Sequence, residues 1–183
     1  MKSESKNIRF ITRAAMGVAL VILAQLAGKL FPAGAFIAGP FSVNQLVTGS
    51  LVNCVLFVFT AIGGVWCGVC VGILSAVLAS VIGIGPAVLA VVPLVACGNA
   101  ILCIVFSIVG KPLPRIVAVI TAAAVKCGFL WISVPLLLQA ICAPDKQRMM
   151  LGIMFSWPQA CTALIGGLLA MLIIPRISKD KAE

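Results

Sequence analysis

Lys126 is the residue best placed to do chemistry in this chain, because it stands near the middle of the apolar run RIVAVITAAAVKCGFLWISVPLLLQ, residues 115–139. In a run that crosses a bilayer, a central ammonium costs about 2.5–3.5 kcal/mol on insertion scales, which makes it a functional candidate by default. Such a group can hold an anion or a carbonyl oxygen. Asn99, Ser133 and Gln159 also lie within apolar runs, and Asn44 and Gln45 open another. Trp131 and Trp157 would offer apolar contact to a ring or chain. The candidate substrate-binding set is therefore Lys126, Asn99, Trp131, Ser133, Trp157, Gln159, Asn44 and Gln45. Plainer roles stand beside it: a lysine that snorkels or bonds backbone carbonyls, Asn99 as glue between helices, and Asn44 and Gln45 as capping residues.

The missing residue types narrow the chemistry further. The sequence has no His, and its acids Glu4, Asp145, Asp180 and Glu183 all lie outside the apolar runs. Carboxylate or imidazole metal sites, proton relays and acid-base or nucleophile-base pairs are not expected within the membrane, so no catalytic residue, metal or cofactor is expected. The eight cysteines fall almost entirely in apolar segments, where Cys behaves as a small hydrophobe. Cys67 and Cys70 form a CxxC with no second pair or His to complete a zinc site. Without an intramembrane acid, a metal ion or a thiamine-like cation is disfavoured as ligand. An anionic or neutral molecule suits a lone lysine, with a carboxylate as its natural partner.

The elements that must position these residues are membrane spans. Hydrophobic residues make up 63% of the 183 positions and charged residues 9%, against about 45–50% and about 25% in soluble domains. At about 20 residues per spanning helix, the length accommodates a single membrane domain, 1–183, of about six helices. The expected spans are about 10–28, 46–62, 65–84, 87–109, 115–138 and 148–174. The basic residues ahead of the first span imitate a signal peptide, but no small-residue cleavage site follows and the segment is kept as a span. Residues 29–45, KLFPAGAFIAGPFSVNQ, form an apolar loop rich in Pro and Gly, expected either to re-enter the membrane or to fold over the bundle mouth. Gly64, Gly68 and Gly72 read as a tight helix seam, Pro93 as a kink, and Pro175 as the close of the sixth span.

Basic residues set the orientation. With a cytoplasmic N-terminus, Lys2, Lys6, Arg9, Arg13, Lys111, Arg115, Arg176, Lys179 and Lys181 lie inside, against Lys29, Lys146 and Arg148 outside. That bias makes both termini cytoplasmic and assigns the net charge of +9 to membrane orientation, with no nucleic-acid partner.

The segment RFITRAAMGVAL, the Pro/Gly loop after it, and the later segments LVTGSLVNCVLF, GGVWCGVCVGILS and VPLVACGNAILCIVF resemble the substrate-binding S components of energy-coupling factor vitamin transporters. The resemblance extends over nearly the whole chain. It implies a protein of a prokaryotic plasma membrane that captures a vitamin or related micronutrient in an outward cavity capped by the 29–45 loop. Delivery would depend on a transmembrane scaffold subunit and two cytoplasmic ATPases, ATP hydrolysis belonging to those partners and not to this chain. The family's AxxxA signature matches Ala15 and Ala19, which the resemblance makes the docking face for the scaffold. None of the substrate signatures for riboflavin, thiamine, folate or biotin is visible. Read from the residues alone, the second class is an autonomous secondary transporter or channel for a small organic solute, for which neither an internal repeat nor an intramembrane acid is evident.

Overall fold

A computed structural model describes residues 2–32, 35–39, 41–86 and 88–179. Among them the chain forms seven helices: α1 (Lys2–Gly28), α2 (Val43–Gly63), α3 (Val65–Val81), α4 (Val92–Val109), α5 (Arg115–Ala140), α6 (Asp145–Met154) and α7 (Trp157–Lys179). Between α1 and α2 lies a small hairpin of β1 (Phe36–Ala38) and β2 (Phe41–Ser42). The chain is thus built almost wholly of helices. Five helical stretches, Lys6–Gly28, Val43–Gly63, Leu89–Val109, Arg115–Ala140 and Asp145–Ile177, are long and apolar enough to cross a membrane. The apolar α3 has 17 residues, the lower end of the range of about 17–25 that a span requires.

Each helix boundary has a local cause. The first helix begins well before the expected residue 10, so the basic stretch that reads as a tail continues the helix. Arg13 uses this placement: its Nη1 donates to the Ile62 carbonyl at 2.8 Å, satisfying an orphan acceptor at the C-terminal end of α2. Ser42 caps α2, its Oγ accepting the Gln45 N–H at 3.2 Å. Gly64, at φ 88°, is the whole connection between α2 and α3. Gly64 is therefore a turn, while Gly68 and Gly72 form the expected close approach: a Cβ on Gly72 would come to 3.0 Å from that of Asn99.

Prolines act differently from the sequence expectation. Pro93 lies in the first turn of α4, after the 3-10 turn Leu89–Val91, where its missing N–H costs nothing, so it starts a helix instead of kinking one. The chain passes helically through Pro175 to Lys179. Pro158 splits the expected span 148–174 into α6 and α7, because a proline ring clashes with the carbonyl four residues earlier, here Met154.

The bundle is organised on α2, which packs against α1, α3, α4 and α7, while α5 packs against α4, α7 and α6. One apolar cluster gathers Leu56, Phe57, Val71, Leu102, Phe106, Val119 and Ile174, with Phe57 and Phe106 edge to face at 4.9 Å between ring centres. A second gathers Val91, Leu130, Val134, Leu138, Leu151 and Phe155 beneath the α5–α6 turn.

Candidate functional site

Lys126 belongs to the stripe of α5 that turns inward. Ala118, Ala122, Lys126, Leu130, Val134 and Leu138 recur every fourth residue and are all buried. The lysine is 3% exposed. Its Nζ donates to Asn53 Oδ1 of α2 at 2.7 Å and to Asn99 Oδ1 of α4 at 2.8 Å. Neither partner is charged, and the carbonyl dipoles of two amides replace the acid that the sequence lacks.

Both asparagines are held by their amide nitrogens. Asn99 Nδ2 donates to the Gly72 carbonyl at 3.1 Å and to Ser75 Oγ at 3.0 Å. Asn53 Nδ2 reaches Thr162 Oγ1 of α7 at 3.4 Å. These contacts fix which amide atom is oxygen: swapping either group would set its NH2 against the ammonium, donor against donor, and at Asn99 would also press the oxygen against the Gly72 carbonyl. The close approaches of Gly72 to Asn99 and of Gly166 to Asn53 bring α3 and α7 near enough to make them.

Lys126 and its two asparagines help line a cavity of about 400 Å³, within the range of about 300–1,000 Å³ usual for small-molecule sites. The wall comes from one end of the bundle: the C-terminal end of α1 (Gln25), the start of α2 (Asn44, Gln45), the Gly83–Pro86 turn after α3 and the α6–α7 break (Met154, Phe155, Gln159). Lys29, at this end, donates from Nζ to the Ile82 carbonyl at 2.8 Å and so caps α3. Among the described residues two lysines and no acid line the space, and no group of His, Cys, Asp and Glu there could hold a metal ion.

Asn44, Gln45, Asn99, Lys126 and Gln159 are therefore brought together. Trp131, Ser133 and Trp157 do not line the cavity. Trp131 is 64% exposed on the outer face of α5, since five residues from Lys126 is about 140° around a helix. Ser133 shares the inner side of α5 about two turns further on, with its Oγ buried and without a partner. Trp157 packs edge to face on Phe41 of the hairpin, ring centres 5.2 Å apart, and so ties α7 to the hairpin between α1 and α2. Ala15 and Ala19 are exposed on α1, on the side away from buried Ala14, Gly17 and Val21.

Sequence reasoning assigned no part in the site to Asn53, Ser75, Thr162, Gln25 or the Gly83–Pro86 turn. A signal existed for Gln25, which shares a helical face with Gly17, Val21 and Gly28, the small and buried side of α1. In comparisons with known proteins, no family model matches this chain, and neither a curated protein nor a solved structure does.

Proposed function

We propose that the chain is the substrate-binding subunit of an energy-coupling-factor importer, taking up a vitamin or related micronutrient and handing it to a scaffold subunit driven by two ATPases. The observation that carries this reading is the cavity with Lys126 in its lining and no acid beside it, at the end of the bundle bearing the 29–45 loop. An acid-free wall fits an anionic or neutral solute. It offers no carboxylate for ion coupling, which speaks against a secondary transporter. The exposed Ala15 and Ala19 suit a helix face that another subunit approaches closely. On this reading the chain crosses the plasma membrane six times, with α6 and α7 together making the last crossing and both termini cytoplasmic.

Co-expression with a scaffold subunit and its ATPases provides the test. Ala15→Trp and Ala19→Trp should abolish ATP-driven uptake and co-purification while leaving solute binding by the isolated chain intact. If the isolated chain in liposomes moves solute along an ion gradient without ATP, the secondary-transporter reading replaces this one.

A further inference from the structure

Two chains of hydrogen bonds leave the Lys126 ammonium, one through α4, α3 and α1 and the other through α2 and α7, and each ends on an amide oxygen that no donor among the described residues reaches. On the first wall Asn99 bonds Ser75, whose carbonyl accepts Gln25 Nε2 at 2.9 Å. On the second, Asn53 bonds Thr162, and Thr162 Oγ1 donates to the Gln159 carbonyl at 3.1 Å. Gln159 Nε2 and Gln45 Nε2 then both donate to the Met154 carbonyl, at 3.1 and 3.2 Å. Gln25 Oε1 and Gln45 Oε1 are buried without a partner, and Gln25 as a whole is 2% exposed. Each side chain lines the cavity. Their orientation is fixed, because turning either amide over would press its oxygen against a backbone carbonyl.

The walls therefore have a definite polarity. Five amide side chains, Gln25, Gln45, Asn53, Asn99 and Gln159, commit their nitrogens to the protein. The oxygens of Asn53 and Asn99 hold the ammonium, and those of Gln25 and Gln45 are buried with no donor among the described residues. The ammonium has three N–H bonds; two go to the asparagines, and the third meets no acceptor among the described residues. An ammonium with an open N–H and no acid beside it is completed by an anionic acceptor. Phe155 supplies the only aromatic ring among the described lining residues, alongside Val52, Ala76, Ala79 and Val95. No pair of rings is there to sandwich a flat heterocycle.

Resting on the reading of this cavity as the solute site, we propose that its ligand is a small aliphatic carboxylate with N–H or O–H donors remote from the carboxylate. The carboxylate meets Lys126, the aliphatic body meets the apolar wall, and the donors reach Gln25 Oε1 and Gln45 Oε1.

The purified full chain in detergent, titrated with N-hydroxyacyl β-amino acids, tests this by native mass spectrometry and thermal shift. Each probe is used beside its methyl ester, its N,O-permethylated form and the analogue with an amine in place of the carboxylate. The free acids should bind at least about tenfold more tightly than the esters and amines, the size of one charge-assisted hydrogen bond. Lys126→Met should erase that preference. Gln25→Met and Gln45→Met should each weaken the parent acids about tenfold and leave the permethylated forms unchanged. If Gln25→Met does not fold, the half-buried Gln45 carries the same test. Equal binding of acid and ester, tighter binding of the amine, equal weakening of all probes by Gln45→Met, or no binding of any acid at millimolar concentration overturns the proposal. Co-purification with the scaffold and ATPases is read separately. Its loss with acid preference intact sinks the importer reading alone, and its retention with the wrong preference sinks the ligand assignment alone.

Discussion

At the scale of single residues, the site turns on how a buried ammonium is kept without an acid. Lys126 has two amide oxygens at 2.7 and 2.8 Å, and the arrangement is asymmetric in its response to damage. Removing one oxygen leaves a buried charge less compensated, whereas removing the charge leaves two neutral acceptors beside a cavity that water can enter. Asn99→Ala should therefore lower stability by about 1–3 kcal/mol, and by more than Lys126→Met does. Lys126→Met should instead cut solute affinity more than tenfold, about 1.4 kcal/mol. Thermal unfolding and binding in the same detergent check the ordering, and a Lys126→Met protein less stable than Asn99→Ala would show that the lysine is chiefly structural. Lys126 and Asn99 were legible in the sequence because each is polar within an apolar run, where an unmet polar group is expensive. Asn53 stood in an equally apolar run but among Thr48, Ser50 and Thr60, and nothing in its spacing separated it from them. Its role depends on α2 facing α5, which is a matter of packing between helices and not of the sequence near Asn53. Trp131 attracted notice as an aromatic near a lysine, yet its angle around α5 already turned it outward.

At the scale of elements, prolines and glycines decide how the helices meet, and their effect depends on what surrounds them. Pro158 frees the Met154 carbonyl, and Gln45 and Gln159 take it over. The break between α6 and α7 is thus joined to the start of α2 at the cavity rim. The six apolar runs were readable from hydropathy, but this break was not, because the donors that stabilise it lie at the start of α2 and in the first turn of α7. Glycine spacing was similarly ambiguous: the same interval of four gave a turn at Gly64 and a seam at Gly68 and Gly72. Gly166 shows what a seam demands, since a Cβ there would come to 2.5 Å from the Ser50 carbonyl and 2.8 Å from Asn53 Cβ and the Cys54 nitrogen. Backbone cannot yield as a side-chain tip can. Gly166→Ala should part α7 from α2, destabilise the bundle by about 1–3 kcal/mol, and weaken solute binding through Asn53. Gly128→Ala meets nothing within 4 Å and should be neutral or stabilising by up to about 1 kcal/mol, the helix-propensity gain over Gly. Equal effects at the two glycines, measured by thermal unfolding, would remove the close α2–α7 contact from the account.

At the scale of the whole molecule, the polar cavity gathers at one end of the bundle and exposed basic residues at the other. Lys6 and Arg9 near the start of α1, Lys111 and Arg115 at the α4–α5 turn and Arg176 near the end of α7 are all exposed, at helix ends away from the cavity. At the cavity end Lys29 caps α3 and Arg148 pairs with Asp145, so two of its three cations already have partners. The charges are thus concentrated opposite the site, and on the proposed six-span reading the positive-inside rule would turn the cavity outward. Two positions separate the ends by chemistry. Cys142 is exposed in the turn between α5 and α6, and Leu113 is 49% exposed in the turn between α4 and α5. With every other cysteine replaced, Cys142 should react with a membrane-impermeant maleimide in intact cells. A cysteine introduced by Leu113→Cys, in a chain whose own cysteines are all replaced, should react only after permeabilisation. The reverse pattern would turn the cavity toward the cytoplasm, where an uptake subunit would meet its solute only after transport. Labelling at both positions in intact cells would mean that α5 does not cross the membrane. The Lys126 ammonium, 3% exposed within the bundle itself, would still need its two asparagine oxygens, but the cost they offset would come from burial in protein and not from membrane depth.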